Sequence, residues 1–161
     1  MLEKRDLPEG KWKRTIYFDG NTPFNITTEN YIIKITGGSI IIIDKHNGNI
    51  LNRLKGYHCL YTGDVNPDET ELFALENGKH FYIISLKTYS QTKRITLPRS
   101  YLSLDVYGTY SEDGKSLFVP VYKYFDNAYH YWMCEYETND YTLVDMKEIP
   151  PDEVPRWISF I

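Results

Sequence analysis

The feature that most constrains this chain is a polar turn followed by an apolar strand, which recurs at nearly regular intervals. The three copies occupy residues 25–34, 66–75 and 111–120, so their starts are 41 (66 − 25) and 45 (111 − 66) residues apart. In each copy an apolar residue stands six positions after the first residue. A spacing of this length predicts repeated supersecondary units that bury their apolar faces against one another.

The residues between these turns favour strands over helices. Aromatic residues make up 16% of the 161 residues, with 15 Tyr, 7 Phe and 3 Trp, and such residues fit the pleated surface of a sheet. Short β-branched and aromatic runs bounded by turn residues recur along the chain, whereas helical periodicity is absent. We therefore predict a single all-β domain.

Two local patterns identify the kind of repeat. The first is a turn of the form S-P-D-G-x-x-L, approximated by residues 66–72 and 111–117, and the second is a turn of the form D-x-x-N-G-x-x-L at residues 44–51. With these turns and this period, the units resemble the blades of β-propeller repeat proteins, notably the Trp-Asp-repeat, YVTN and quinoprotein-like groups. The resemblance covers nearly the whole chain.

The resemblance implies a partial β-propeller of about three four-stranded blades plus an orphan strand at each end. The expected segments are an N-terminal tail (1–13), a lone strand (14–18), blades at about 22–56, 57–99 and 100–150, and a final segment (151–161) with a strand at 157–161. Closed propellers typically use four to eight blades, so three blades do not close a ring alone. We expect two copies to associate, with a segment of a longer propeller, or a β-sandwich or barrel, as alternatives.

Charge and composition disfavour several functional classes. The net charge of −4 argues against nucleic-acid binding, which depends on many Lys and Arg contacts to phosphate. The longest apolar run, residues 40–43, is too short to span a membrane. The residues after Met1 form no apolar leader, and Cys59 and Cys134 do not make a disulfide framework. A cytoplasmic protein that binds neither membrane nor nucleic acid is expected.

No catalytic, cofactor or metal site is predicted. Asp64, Asn66 and Asp68 match the opening of a calcium loop, but Glu69 stands where the loop needs Gly and Leu75 where it needs Glu. The four histidines have no zinc-binding spacing, and no G-x-S-x-G nucleophile motif is present. The calcium-like stretch is interpreted as a strand and its turn.

Aromatic residues crowd the third repeat and suggest a contact surface. They exceed what one blade can pack internally, and Tyr and Trp dominate the energetic centres of protein interfaces. The candidate interface residues are Tyr122, Tyr124, Phe125, Tyr129, Tyr131, Trp132, Trp157 and Phe160.

The function predicted from these features is a noncatalytic protein-interaction module that self-associates or is completed by a protein partner. The expected partner is a protein, with a homo-oligomer favoured. The alternative is part of a propeller enzyme or carbohydrate-binding protein whose site lies at the central channel, because propellers host both enzymes and scaffolds.

Overall fold

The computed structural model describes residues 13–14, 24–103 and 106–153, and none of these residues lies in a helix. The strands are β1 (Lys13–Arg14), β2 (Phe24–Thr27), β3 (Tyr31–Ile35), β4 (Ser39–Asp44), β5 (Ile50–Lys55), β6 (Leu60–Val65), β7 (Glu71–Glu76), β8 (His80–Ser85), β9 (Ser90–Thr96), β10 (Leu102–Ser103), β11 (Val106–Tyr107), β12 (Thr109–Tyr110), β13 (Ser116–Phe125), β14 (Ala128–Glu137) and β15 (Thr142–Ile149). The all-β prediction is confirmed.

The strands form three antiparallel meanders that follow one another along the chain. The first sheet has the order β2-β3-β4-β5, the second β6-β7-β8-β9, and the third β10-β13-β14-β15, with β12 also paired to β13. Strand β6 contacts both β2 and β12, so the innermost strands of the three sheets lie side by side. Sequential four-stranded meanders packed in this way are propeller blades, and the described residues therefore form a partial β-propeller.

The recurring turns of the sequence join the first and second strands of each sheet. The backbone N–H groups of Thr28, Asn66 and Ser111 donate to carbonyls at the start of the following strand, at 2.9, 3.0 and 2.8 Å. In the second sheet the Asn66 side-chain oxygen also accepts from the N–H groups of Thr70 and Glu71. The sequence repeat thus arises from turn chemistry, because short polar side chains satisfy the backbone where the strand reverses.

The second sheet is buried on both faces because it lies between the other two. Residues 72–75 of β7 and 81–84 of β8 are all buried, and alternate positions point to opposite sides of the sheet. Each fully buried Leu, Ile or Phe here contributes roughly 1.5–3 kcal/mol relative to exposure. We call the contact between the first and second sheets the first junction, and that between the second and third sheets the second junction.

The innermost strand of the third sheet is interrupted, and three short strands, β10, β11 and β12, stand in place of one. Ser103 pairs with Val121 and Thr109 with Phe118, a register change of three residues, while β11 pairs with β1 instead. A Cβ on Gly108 would lie 2.6 Å from the ring of Phe73, so only glycine lets the backbone pass the second junction there. This close approach lies between β11 and β12, within the interrupted region.

Several predicted segments lie outside the described residues. Of the expected tail, residues 1–12 lie outside, and of the expected strand at 14–18 only Arg14 is described, within β1. The strand at 157–161, with Trp157 and Phe160, also lies outside them.

Candidate functional sites

The strands β13 and β14 extend from the third sheet as a two-stranded ribbon that carries six of the predicted interface residues. We call residues 122–132 the aromatic ribbon. Its tip is a two-residue turn in which Asp126 and Asn127 have φ values of 50° and 60°. Asn and Asp adopt this left-handed conformation more readily than most residues, and two such residues form the turn that matches strand twist.

Four tyrosines share one face of the aromatic ribbon. Tyr122 lies opposite Tyr131 and Tyr124 opposite Tyr129, so the four side chains alternate with those of the other face. The rings of Tyr124 and Tyr129 meet edge to face with centroids 4.9 Å apart. Tyr124 is 55% exposed and Tyr129 is 38% exposed. This face presents large aromatic surface to solvent at the ribbon tip.

The opposite face of the ribbon combines aromatic rings with one cation, since Lys123 Nζ lies 5.7 Å from the centroid of the Phe125 ring. The rings of Phe125 and His130 stack with centroids 3.9 Å apart, and His130 Nδ1 lies 3.6 Å from Glu148 Oε1. At the ribbon base the Trp132 indole packs edge to face on Tyr101, 4.8 Å between centroids, and against the second junction. Six predicted interface residues therefore lie together, and Trp132 also anchors the ribbon to the body of the protein.

A second candidate site is a groove at the outer end of the first junction. It is a solvent-open cavity of about 510 Å³. We call it the junction groove. Its lining residues are Lys55, which ends β5 of the first sheet, the following residues Gly56, Tyr57 and His58, and Glu76, His80, Tyr82, Gln91 and Arg94 of the second sheet.

A chain of hydrogen bonds fixes the polar side chains of the junction groove. The Tyr82 hydroxyl donates to Glu76 Oε1 at 2.7 Å, and His80 Nδ1 lies 3.3 Å from Glu76 Oε2. Arg94 Nη2 lies 3.1 Å from His80 Nε2. Since a guanidinium only donates, His80 accepts at Nε2 and donates from Nδ1 to the carboxylate. Glu76 thereby sets the orientation of His80, and His80 sets that of Arg94.

Tyr57 and Tyr82 form the inner wall of the junction groove. Their rings meet edge to face with centroids 4.9 Å apart, and the Tyr57 hydroxyl donates to Gln91 Oε1 at 2.7 Å. Burial, with the hydrogen bond to Glu76, raises the pKa of Tyr82 to about 12. Burial also raises the pKa of Tyr57. Both phenols are therefore neutral donors at physiological pH.

The sequence prediction of sites missed the junction groove, although one local signal for it exists. Leu75 pairs with Phe81, so the turn at Asn77 and Gly78 makes Glu76 and His80 neighbours on one face. Tyr82 pairs directly with Arg94 on the next strand. The contribution of Lys55 and Tyr57 could not be foreseen, because it depends on how the first sheet packs on the second.

The residues with possible metal or nucleophile chemistry have structural roles. Asp64 Oδ2 accepts from the backbone N–H of Tyr110 at 2.9 Å, which ties the second sheet to the third. Among the described residues no group of three or more His, Cys, Asp or Glu could hold a metal ion. Cys134 is buried, and this burial raises the pKa of its thiol to about 12, so it is a poor nucleophile.

Within the part of the chain that the structure describes, no helix is long and apolar enough to cross a bilayer.

Comparison with known proteins shows a likeness of structure only. No protein-family model matches the chain, and no curated protein matches its sequence.

The solved structures that resemble this chain are propeller proteins. The WD40 repeats of RRP9 match 83% of this chain and 41% of theirs, with a TM-score of 0.61 and 12% identity. The tricorn protease matches 72% of this chain and 12% of its own, with a TM-score of 0.58 and 12% identity. The dihydro-heme d1 dehydrogenase NirN matches 83% and 26%, with a TM-score of 0.55 and 14% identity. The chain thus spans less than half of each, and its fold is that of WD40 and related β-propellers.

Proposed function

We propose that this chain is a noncatalytic, propeller-type protein-interaction module whose partner is a second copy of itself. The observation that carries the proposal is the aromatic ribbon, which presents exposed aromatic side chains, Tyr124 foremost, beyond the third sheet. Tyrosine gives large contact area at low entropic cost and is enriched among the residues that dominate binding energy. The two free thiols, Cys59 and Cys134, agree with a cytoplasmic location as part of the same proposal.

The outer faces of the first and third sheets support a second copy of the chain as the partner. On the first sheet Ile41 lies in one cross-strand row with Lys34 and Arg53. These three residues point away from the second sheet, because the buried isoleucines of β3 and β4 alternate with them. An apolar residue flanked by two cations is thus presented at this end of the array.

The outer face of the third sheet is complementary in charge. Phe118 lies in one cross-strand row with Glu135 and Asp145, an apolar residue accompanied by two carboxylates. The tyrosine face of the aromatic ribbon continues this face, because Tyr122 and Phe118 are on the same side of β13. First sheet against third sheet therefore pairs opposite charges and apolar groups.

The number of blades favours a dimer in which the two copies contact each other at both ends of the three-sheet array. If the first sheet of each copy packs on the third sheet of the other, three plus three sheets make six blades. Six is within the four to eight blades of closed propellers. A two-fold axis generates both contacts from one pair of surfaces, as in most homodimers.

The test is the mass of the chain in solution, measured by light scattering over a concentration series. We expect about 38 kDa, twice the 19.0 kDa of one chain. Tyr124→Ala is expected to raise the dimer Kd by about 5- to 30-fold, the loss typical of an interface tyrosine. A monomer of 19.0 kDa at every concentration contradicts the proposal.

The matched control is Val144→Ala on β15. Val144 is 56% exposed, as exposed as Tyr124, but lies on the outermost strand of the third sheet. Its truncation removes exposed apolar surface without touching the ribbon, so the dimer Kd is expected to stay within twofold. Equal weakening by the two variants excludes a specific role for the ribbon.

A further inference from the structure

The junction groove presents two cations that have no carboxylate partner among the residues that the structure describes. Lys55 and Arg94 both line it, and among the described residues no carboxylate lies within 4.0 Å of either side-chain nitrogen. The one carboxylate in the lining, Glu76, already accepts from Tyr82 and His80. The groove therefore carries excess positive charge in a protein whose net charge is −4.

The Arg94 guanidinium is held in position by its neighbours. Arg94 Nη2 donates to His80, which is itself held by Glu76, and Tyr82 is a further polar neighbour of the guanidinium. The remaining donors form a planar fork, the geometry that arginine uses to bind oxyanions with two hydrogen bonds. Such preorganisation reduces the entropy lost when an anion binds.

Charge and the number of acceptor oxygens distinguish between oxyanions. A carboxylate offers one negative charge and two acceptor oxygens, whereas a phosphate monoester carries close to two negative charges at pH 7 and offers three acceptor oxygens to the Arg94 and Lys55 side chains. Beside the cations, the half-buried Tyr57 ring is fixed by Gln91 and Tyr82, and it provides a surface for the organic part of a ligand. A 510 Å³ cavity has the size of a small-molecule site.

We propose that the junction groove binds phosphate monoesters, with Arg94 and Lys55 on the phosphate and Tyr57 against its organic substituent. This site lies between the first and second sheets, away from the aromatic ribbon, and its occupation is independent of self-association.

The experiment is an amide NMR titration of the full chain in phosphate-free buffer with phenyl phosphate, benzoate and phenol. Phenyl phosphate is expected to shift the backbone amides of residues 55–58 and 91–94. Benzoate carries the same ring with one negative charge and is expected to bind more weakly, and phenol is expected not to bind. Benzoate binding as tight as phenyl phosphate, or no shift with phenyl phosphate at millimolar concentration, overturns the proposal.

Two variants on β9 separate the site from general charge attraction. Arg94→Gln is expected to weaken phenyl phosphate binding about tenfold, because it removes charge-assisted hydrogen bonds. Lys93→Gln removes the same charge one residue away, on the opposite face of the strand, where Lys93 is exposed, and is expected to leave the Kd unchanged. Equal weakening by both variants overturns the proposal. Arg94 is also exposed, so the fold does not depend on it.

Discussion

Both junctions bury apolar side chains between neighbouring sheets, but they use different kinds of residue. The first junction is aliphatic, and its centre is made by Ile33, Ile35, Ile40 and Ile42 of the first sheet against leucine, alanine and isoleucine of the second. The second junction is aromatic, and its buried rings are Tyr61, Phe73, Phe81, Tyr110, Tyr136 and Tyr141. The two faces of the second sheet thus pack against different cores, one aliphatic and one aromatic.

The outer ends of the junctions show why this difference matters. Tyr101 and Trp132 fill the outer end of the second junction, and the packing continues into the aromatic ribbon. The first junction stops at Tyr57 and Tyr82 and opens into the junction groove. Aromatic packing therefore continues to the outer end of the second junction, whereas the aliphatic core of the first junction ends at two tyrosines that border a polar groove.

The largest expected effect tests whether the second junction contributes more to the free energy of unfolding than the first junction. Phe81 is fully buried, and its ring meets Phe73 at 5.3 Å and Tyr136 at 4.9 Å between centroids. Phe81→Ala is expected to lower the free energy of unfolding by about 3–5 kcal/mol, from lost burial and the cavity left behind. Urea denaturation measures the change, with Phe81→Leu as a milder variant.

The comparison variant for the first junction is Ile42→Ala. Ile42 is also fully buried, but it has a smaller, nonaromatic side chain. It is expected to cost less than Phe81→Ala, toward the lower end of the roughly 2–5 kcal/mol range for buried aliphatic truncations. An equal or larger cost for Ile42→Ala contradicts the expectation that the second junction contributes more to stability.

The second prediction concerns alkaline pH and follows from the buried phenols of the second junction. The Tyr110 hydroxyl donates to Tyr141, 2.7 Å away, and Tyr141 donates to Glu71 at 2.9 Å. Burial raises the pKa of Tyr110 well above its ordinary value of 10.0, and burial raises that of Tyr141 too. Above pH 10 the unfolded chain therefore loses protons that the folded chain keeps.

The sign of the effect follows from this proton difference. The contribution of these phenols to the free energy of unfolding is fully present below pH 10. It falls as pH rises from there through the folded-state pKa values, by up to about 1.4 kcal/mol per pH unit for each such tyrosine. Tyr141→Phe is expected to reduce the slope of unfolding free energy against pH between 10 and 11. A slope that stays the same in this variant shows that Tyr141 ionises equally in both states.

Much of the fold could be predicted because its signals are local. Strands such as β4, β6 and β7 are bounded by turn residues, and the repeated turns at Asn66 and Ser111 reveal the period. The close approach of Gly108 to the ring of Phe73, beside the interruption of the innermost strand, could not be predicted, because Phe73 is more than 30 residues away in sequence.

The same distinction explains which candidate site the sequence indicated. The aromatic ribbon is one continuous stretch, so its composition alone singles it out. The junction groove combines Lys55 and Tyr57 with Arg94, and these residues meet only when two sheets pack. Composition detects a site made from one hairpin, and a site made between blades requires the tertiary structure.

The smallest expected effect is a stabilisation within the aromatic junction. The Tyr136 side chain is 2% exposed, and its hydroxyl has no hydrogen-bond partner among the described residues. A buried hydroxyl without a partner costs desolvation energy, so Tyr136→Phe is expected to raise the free energy of unfolding by about 1 kcal/mol. The control is Tyr141→Phe below pH 9, which makes the same chemical change at a hydroxyl that has two partners and is expected to cost about 1–3 kcal/mol. Opposite signs for these two variants in urea denaturation show that hydrogen bonding, and not ring packing alone, distinguishes positions within the second junction. A loss of stability in both variants shows instead that the Tyr136 hydroxyl is satisfied in solution.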